Sequence, residues 1–304
     1  FNDAILQFEK ALSFLPDESL ILDWLGKSYY RSGMEGGAIQ QWELAGKNNY
    51  GGLLLDNRIE IVRNRRITDV ETETDVRYVE SGSFSGKKDE TVFFSQPISV
   101  LPLPDGNNWV IAYGTNELLQ IDINGTIIQR VRGPLVGFDR PMDIIQQKNG
   151  NLLITEYAGD RVTQLDSRGG FIQSFGSKGR GMGQLLGPQY LAEDESGNIF
   201  VTDYGNGRVM VFNSEGEPLF SFGKFRSPSG IAILQDTVYI ADTVDGSIYT
   251  YDTAGNYQGM LLQPKSLQKP EALKNWGSYL LVADTNRVLT IDVNNGAIYE
   301  TAKT

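Results

Sequence analysis

Five stretches of this 304-residue chain repeat one pattern, and that repetition limits the fold more than any other feature. The clearest copy is "FVTDYGNGRVMVFNSEGEPLFSFG" (200–223): three short apolar runs separated by tight turns of Gly, Asn, Asp and Ser. Its relatives are "WVIAYGTNELLQIDINGTIIQRV" (109–131), "LLITEYAGDRVTQLDSRGGFIQSFG" (152–176), "VYIADTVDGSIYTYDTAGNYQGML" (238–261) and "YLLVADTNRVLTIDVNNGAIYET" (279–301). A Pro opens a further apolar run before each copy, at Pro97, Pro141, Pro188, Pro228 and Pro270, spaced 44, 47, 40 and 42 residues apart. An antiparallel meander of this size cannot bury both faces alone. Four strands per unit at this period predict a β-propeller, in which neighbouring blades cover each other's faces. A further strand-like stretch, "ITDVETETDVRYVESGSF" (67–84), predicts a degenerate sixth blade beside the five explicit ones, with a five-bladed ring as the alternative.

The third copy resembles the NHL repeat through Asn198, Asp203, Asn206, Arg208, Val209, Phe212, Gly216, Phe222 and Gly223. The first departs most, with Tyr113 and Leu118 where that family has Asp and Arg. The resemblance implies a mainly β chain with an NHL-type propeller over 67–304, and it is weak for function because propellers host many activities.

Residues 1–66 follow helical spacing instead. Counting 34 residues from Ala4, Phe8, Ala11 and Pro16 reaches Ala38, Trp42, Ala45 and Tyr50, three of which match in kind while Tyr50 replaces the Pro, with Leu22, Leu25, Gly26 and Tyr29 between them. This segment is similar to the tetratricopeptide repeat (TPR): half a repeat, one whole repeat and a capping helix over 53–66. A chain opening in mid-repeat at Phe1 is expected to be a fragment of a longer polypeptide.

The chain has no Cys and no His. Thiol chemistry, thiolate or imidazole metal sites and Ser–His or Cys–His nucleophile pairs are therefore excluded. Carboxylate chemistry, or a hard cation held by oxygen, remains open. The net charge of −11 argues against nucleic acid as a partner. Charge is nonetheless distributed unevenly. Loops between blades, expected on the top face, carry Arg132, Arg140, Lys178, Arg180, Lys224, Arg226, Lys265 and Lys269 against Asp139, whereas the bottom turns are acidic. The Gly-rich "GSKGRGMGQLLG" (176–187) reads as a flexible linker, with an anion loop as its alternative.

A recurrent acid after the second strand (Glu156, Asp203, Asp242, Asp284) invites a calcium reading, but Asp at a turn more simply accepts backbone N–H groups. These features lead to a non-enzymatic scaffold that binds a protein or peptide, with an anionic ligand as a further option, and with no cofactor, catalytic residue or metal ligand. The expected contact residues on the top face are Arg140, Tyr157, Arg161, Arg180, Tyr190, Tyr204, Arg208 and Arg226, since Arg and Tyr anchor interfaces most often. Two alternatives stand beside this reading. One is a polyanion- or RNA-binding propeller. The other is a calcium-dependent hydrolase or lactonase at the channel mouth, where Asp143, Gln189, Tyr190, Ser229 and Glu271 follow the junction prolines.

Overall fold

The computed structural model describes residues 2–48, 50–64, 85–88, 91–122 and 125–303. The chain divides into two compact units between residues 83 and 84.

The first unit is helical: α1 (Asn2–Leu12), α2 (Ser19–Arg31), α3 (Glu35–Lys47) and α4 (Gly52–Asn64). Helices α2 and α3 pack closely because Gly26 has no side chain. A Cβ there would lie 2.4 Å from Nε1 of Trp42. The indole is buried among Leu22, Ala38, Ala45 and Leu55, and its Nε1 donates to the Asp23 carbonyl at 3.3 Å. Asp23, also buried, pairs with Lys27 at 3.0 Å and with Arg58 at 2.8 Å.

The second unit is a five-bladed β-propeller, each blade a four-stranded antiparallel sheet in sequential order. The blades are 97–131, 141–175, 188–222, 228–262 and 270–303, and every explicit repeat forms one. The described blades thus number five, not six; the sixth expected over 67–84 falls on residues outside those described. A small hairpin, β1 (Lys87–Lys88) with β2 (Thr91–Val92), precedes the first blade. Phe94 follows it and packs on Ala112, Leu119 and Ile121.

Alternation in the middle strands supplies the core. Each blade sends apolar residues to both faces, so clusters form between neighbouring sheets. Ile111 and Leu118 meet Ile144 and Ile154, Leu153 and Val162 meet Leu191 and Val201, and Phe200 and Val211 meet Ile231 and Ile240. Between the fourth and fifth blades the backbones themselves come close. A Cβ on Gly230 would lie 2.4 Å from the Leu273 amide nitrogen.

The acidic bottom turns have a local cause. Asp166 Oδ1 accepts the Arg168 and Gly170 amides at 2.8 Å, and Asp194 Oδ1 accepts those of Ser196 and Asn198 at 2.8 Å. Such side-chain turns close the hairpins on that face. Among the described residues no helix is long and apolar enough to cross a membrane.

Candidate active site at the channel mouth

The first strand of each blade lines the central channel, and each begins at its junction proline. In four blades that proline is the register partner of the recurrent acid: Pro141 with Glu156, Pro188 with Asp203, Pro228 with Asp242 and Pro270 with Asp284. The acids are fully buried. Each accepts the amide of the residue two before the proline: Asp139 at 2.7 Å, Leu186 at 2.7 Å, Arg226 at 2.7 Å and Gln268 at 3.2 Å. Arg161, Arg208 and Arg287 neutralise three of them, at 2.9, 2.8 and 2.8 Å. In the fourth blade, where Ser247 replaces the arginine, Asp242 instead accepts the Val244 and Asp245 amides of its own turn. These carboxylates pin the junction loops to the blades. Among the described residues, the cation reading of the repeat finds no ligand set in them.

The top-face mouth is a cavity of about 540 Å³ lined by strand starts and turns from all five blades, from Ile98 and Tyr113 round to Glu271 and Ala283. Gln189, Tyr190, Ser229 and Glu271, which the sequence pointed to, come together there. Glu271 is the only acid among the lining residues and bonds to the only base, Lys269. That hydrogen bond, with the charge behind it, raises the Lys269 pKa. Desolvation pushes the buried Tyr190 hydroxyl well above the usual tyrosine range, and the charges of Asp143 and Glu271 add to the shift.

Asp143, the fifth residue named for the mouth, lies deeper. Its fully buried carboxylate accepts from Ser99 Oγ at 2.6 Å, from Lys274 Nζ at 3.1 Å and from the Leu191 amide at 3.3 Å. Four of the five first strands therefore converge on one carboxylate. Lys274 reaches it from the opposite side of the channel, where a smaller cavity of about 170 Å³ opens between Ile145, Leu191, Ile231 and Leu273. Among the described residues no three His, Cys, Asp or Glu side chains come together to hold a metal ion.

The expected top-face contact residues separate into two sets. Arg161 and Arg208 are committed to buried carboxylates, Tyr190 is buried in the mouth, and Tyr157 and Tyr204 are half-buried. Arg140, Arg180 and Arg226 are exposed on the rim. Arg140 donates to the Tyr113 hydroxyl at 3.0 Å, and Arg226 meets Asp245 at 3.1 Å. The 176–187 loop is not a free linker. Ser177–Lys178 pairs in parallel with Gln184–Leu185, Asn206 Nδ2 donates to the Gly179 carbonyl at 2.9 Å, and Arg208 donates to the Gly181 carbonyl at 2.8 Å. Sequence reasoning placed Lys269 on the top face but not in the mouth, and missed Lys274 altogether. Both sit on first strands or their approach, but nothing in a lone lysine marks it as facing inward.

No family model and no curated protein matches the chain. Its architecture does match solved structures. Virginiamycin B lyase from Staphylococcus aureus is 18% identical, with a TM-score of 0.55 over 67% of this chain and 69% of that one. A streptogramin B lyase is 19% identical, with a TM-score of 0.57 over 69% and 70%. A putative gluconolactonase is 14% identical, with a TM-score of 0.57 over 69% and 79%. Identities this low carry the fold and not the reaction. They do correct the expectation of a non-enzymatic scaffold to this extent: the two lyases and the gluconolactonase are named for catalysis, whereas a Nidogen/Laminin complex of like similarity (16% identical, TM-score 0.56 over 68% and 80%) is not. A histidine-to-alanine form of the S. aureus lyase is described as catalytically inactive. With no histidine at all, this chain has no counterpart to that residue.

Proposed function

We propose that the protein is a propeller enzyme of the hydrolase or lyase type, acting on an ester or lactone at the top-face mouth. The observation that carries this is the meeting of one carboxylate, one ammonium and a buried phenol in a cavity of about 540 Å³, within the usual size of small-ligand sites. In hydrolysis, Glu271 takes a proton from water as the oxygen attacks the carbonyl carbon. Lys269 hydrogen-bonds the developing oxyanion, and the Tyr190 hydroxyl, held protonated by its burial, gives its proton to the departing alkoxide. No step is routed through a metal, since no three His, Cys, Asp or Glu side chains come together among the described residues. The strand spacing supports an NHL-type reading of the blades, and the close seat of Gly26 on Trp42 supports a tetratricopeptide-like reading of the helices.

The test is a panel of aryl esters and lactones assayed with the native chain and with Glu271→Gln. The substitution should lower kcat/KM by roughly 10²-fold, the usual contribution of a positioned base, with the thermal transition unmoved because Glu271 is exposed. Full activity in Glu271→Gln would remove the residue from the chemistry.

A further inference from the structure

The rim around the mouth combines two features that the reaction does not use. The first is apolar. The loop between the first and second blades turns tightly at Pro134–Gly137, with the Gly137 amide donating to the Pro134 carbonyl at 2.7 Å. Gly133 and Gly137 take positive φ, +86° and +78°, to make that excursion. The turn folds Phe138 into the core and leaves Leu135 and Val136 projecting, 110% and 80% exposed. Met182 is the equivalent tip of the next junction loop, 57% exposed, and Val244 tips the middle turn of the fourth blade, 55% exposed. An aliphatic side chain held at full exposure on a pinned loop gains nothing for folding.

The second feature is charge. Four acids of this face are buried beneath it, Glu156, Asp203, Asp242 and Asp284, while Asp139 stays exposed and Asp245 and Glu271 pair with Arg226 and Lys269. The cations of the junction loops remain outside. Arg132 and Arg140 flank Leu135 and Val136, Lys178 and Arg180 flank Met182, and Lys224, Arg226 and Lys265 lie on the loops either side of Val244, all exposed. Lys178, Arg180, Lys224 and Lys265 have no carboxylate partner among the described residues. A chain of net charge −11 thus carries a surplus of exposed cations on this face.

We infer that this rim docks on an anionic lipid surface, with Leu135, Val136, Met182 and Val244 entering the headgroup layer and the surrounding cations meeting acidic lipids. Charge complementarity selects the sign of the partner. The spacing of the tips selects its kind. Protein interfaces concentrate their energy in one contiguous, desolvated cluster, whereas these tips stand singly around a ring, and a fluid bilayer accepts each one separately. Interfacial binding of this sort adds apolar insertion to attraction by acidic headgroups, and the attraction fades with salt. The mouth at the centre of the ring then faces the membrane.

The experiment is co-sedimentation of the full chain with phosphatidylcholine vesicles and with vesicles containing phosphatidylglycerol, at low and high salt. Binding to the anionic vesicles alone, weakened by salt, is expected. Leu135→Ser with Val136→Ser should lower affinity by about tenfold, and Arg180→Glu with Arg226→Glu by at least about tenfold. Glu195→Lys, in an exposed turn of the opposite face, should leave binding unchanged. Three results would overturn the inference: no binding to anionic vesicles at low salt, equal binding to neutral ones, or variants that sediment like the native chain. A dimer in sedimentation velocity that Leu135→Ser with Val136→Ser dissolves would reassign the tips to a second copy of the chain. Vesicle binding is read without substrate, so its failure leaves the proposed reaction standing.

Discussion

Lys274 of the fifth blade reaches across the channel to Asp143 of the second, placing its ammonium 3.1 and 3.3 Å from the two carboxylate oxygens. The pair is unequal in setting: the lysine side chain is 42% exposed and the aspartate 1%. The two blades are separate sheets, and this contact ties together parts of the ring that sequence order keeps 131 residues apart.

Lys274→Met should therefore destabilise the propeller. It leaves Asp143 charged and buried with only the Ser99 hydroxyl and the Leu191 amide as partners. Removing one partner of a fully buried pair costs about 3–5 kcal/mol. Because water reaches this lysine, about 1–3 kcal/mol is the expected loss. Urea unfolding checks it, and Asp143→Asn added to Lys274→Met should recover part of the loss, since the unpaired charge is then gone. A double variant no more stable than Lys274→Met would show that the carboxylate does not depend on the lysine.

Glu156→Ala removes a larger knot. Glu156 accepts from the Asp139 amide, from Arg161 Nε and Nη2, and from Thr163 Oγ1, with no exposed surface. Its loss strands the Arg161 guanidinium, which is 22% exposed, and frees the junction loop. The expected cost is about 3–5 kcal/mol. Asp166→Ala in the exposed bottom turn should cost far less, which controls for the general effect of losing a carboxylate.

The blades were legible because a period of 40–47 residues survives in one sequence, and each turn carries its own Gly, Asn or Asp. The role of Glu156, Asp203, Asp242 and Asp284 was legible only in part. Asp at a turn suggested a local partner, whereas each also accepts an amide 16 or 17 residues earlier, which only the folded register brings near. Arg161 and Arg208 looked available from sequence for the same reason: their carboxylates were assigned elsewhere. Lys274 had no signal at all, since which face of a first strand points down the channel depends on a bulge after each junction proline.

Gly230→Ala should loosen the contact between the fourth and fifth blades. The added methyl would meet the Leu273 amide nitrogen at 2.4 Å and the Ala272 backbone within 2.9 Å. Backbone cannot rotate away as a side chain can, so a loss of about 1–3 kcal/mol is expected from overpacking. Gly150→Ala meets no neighbouring atoms, but its φ of +88° makes a cost of about 1 kcal/mol expected from strain alone. Comparing the two thermal transitions separates the mechanisms.

Stability should depend on pH through two kinds of group that act at opposite ends. Asp166 is held below the usual carboxylate range by the Gly170 and Arg168 amides, and Asp252 by the side chain and amide of Asn256. A depressed folded pKa contributes stability that is present above the unfolded value, about 3.9, and is lost as pH falls through the folded one. Both turns should therefore weaken only below about pH 4. Tyr190 works in the other direction. Burial raises its pKa, so the folded state keeps a proton that the unfolded chain releases near pH 10. Stability from that group is complete below about pH 10 and declines as pH rises further. Tyr190→Phe should flatten the alkaline limb of the unfolding curve without touching the acid limb, and Asp166→Asn with Asp252→Asn should do the reverse. Urea midpoints measured from pH 3 to pH 11 would read both, and an alkaline limb unchanged in Tyr190→Phe would mean that another tyrosine controls it.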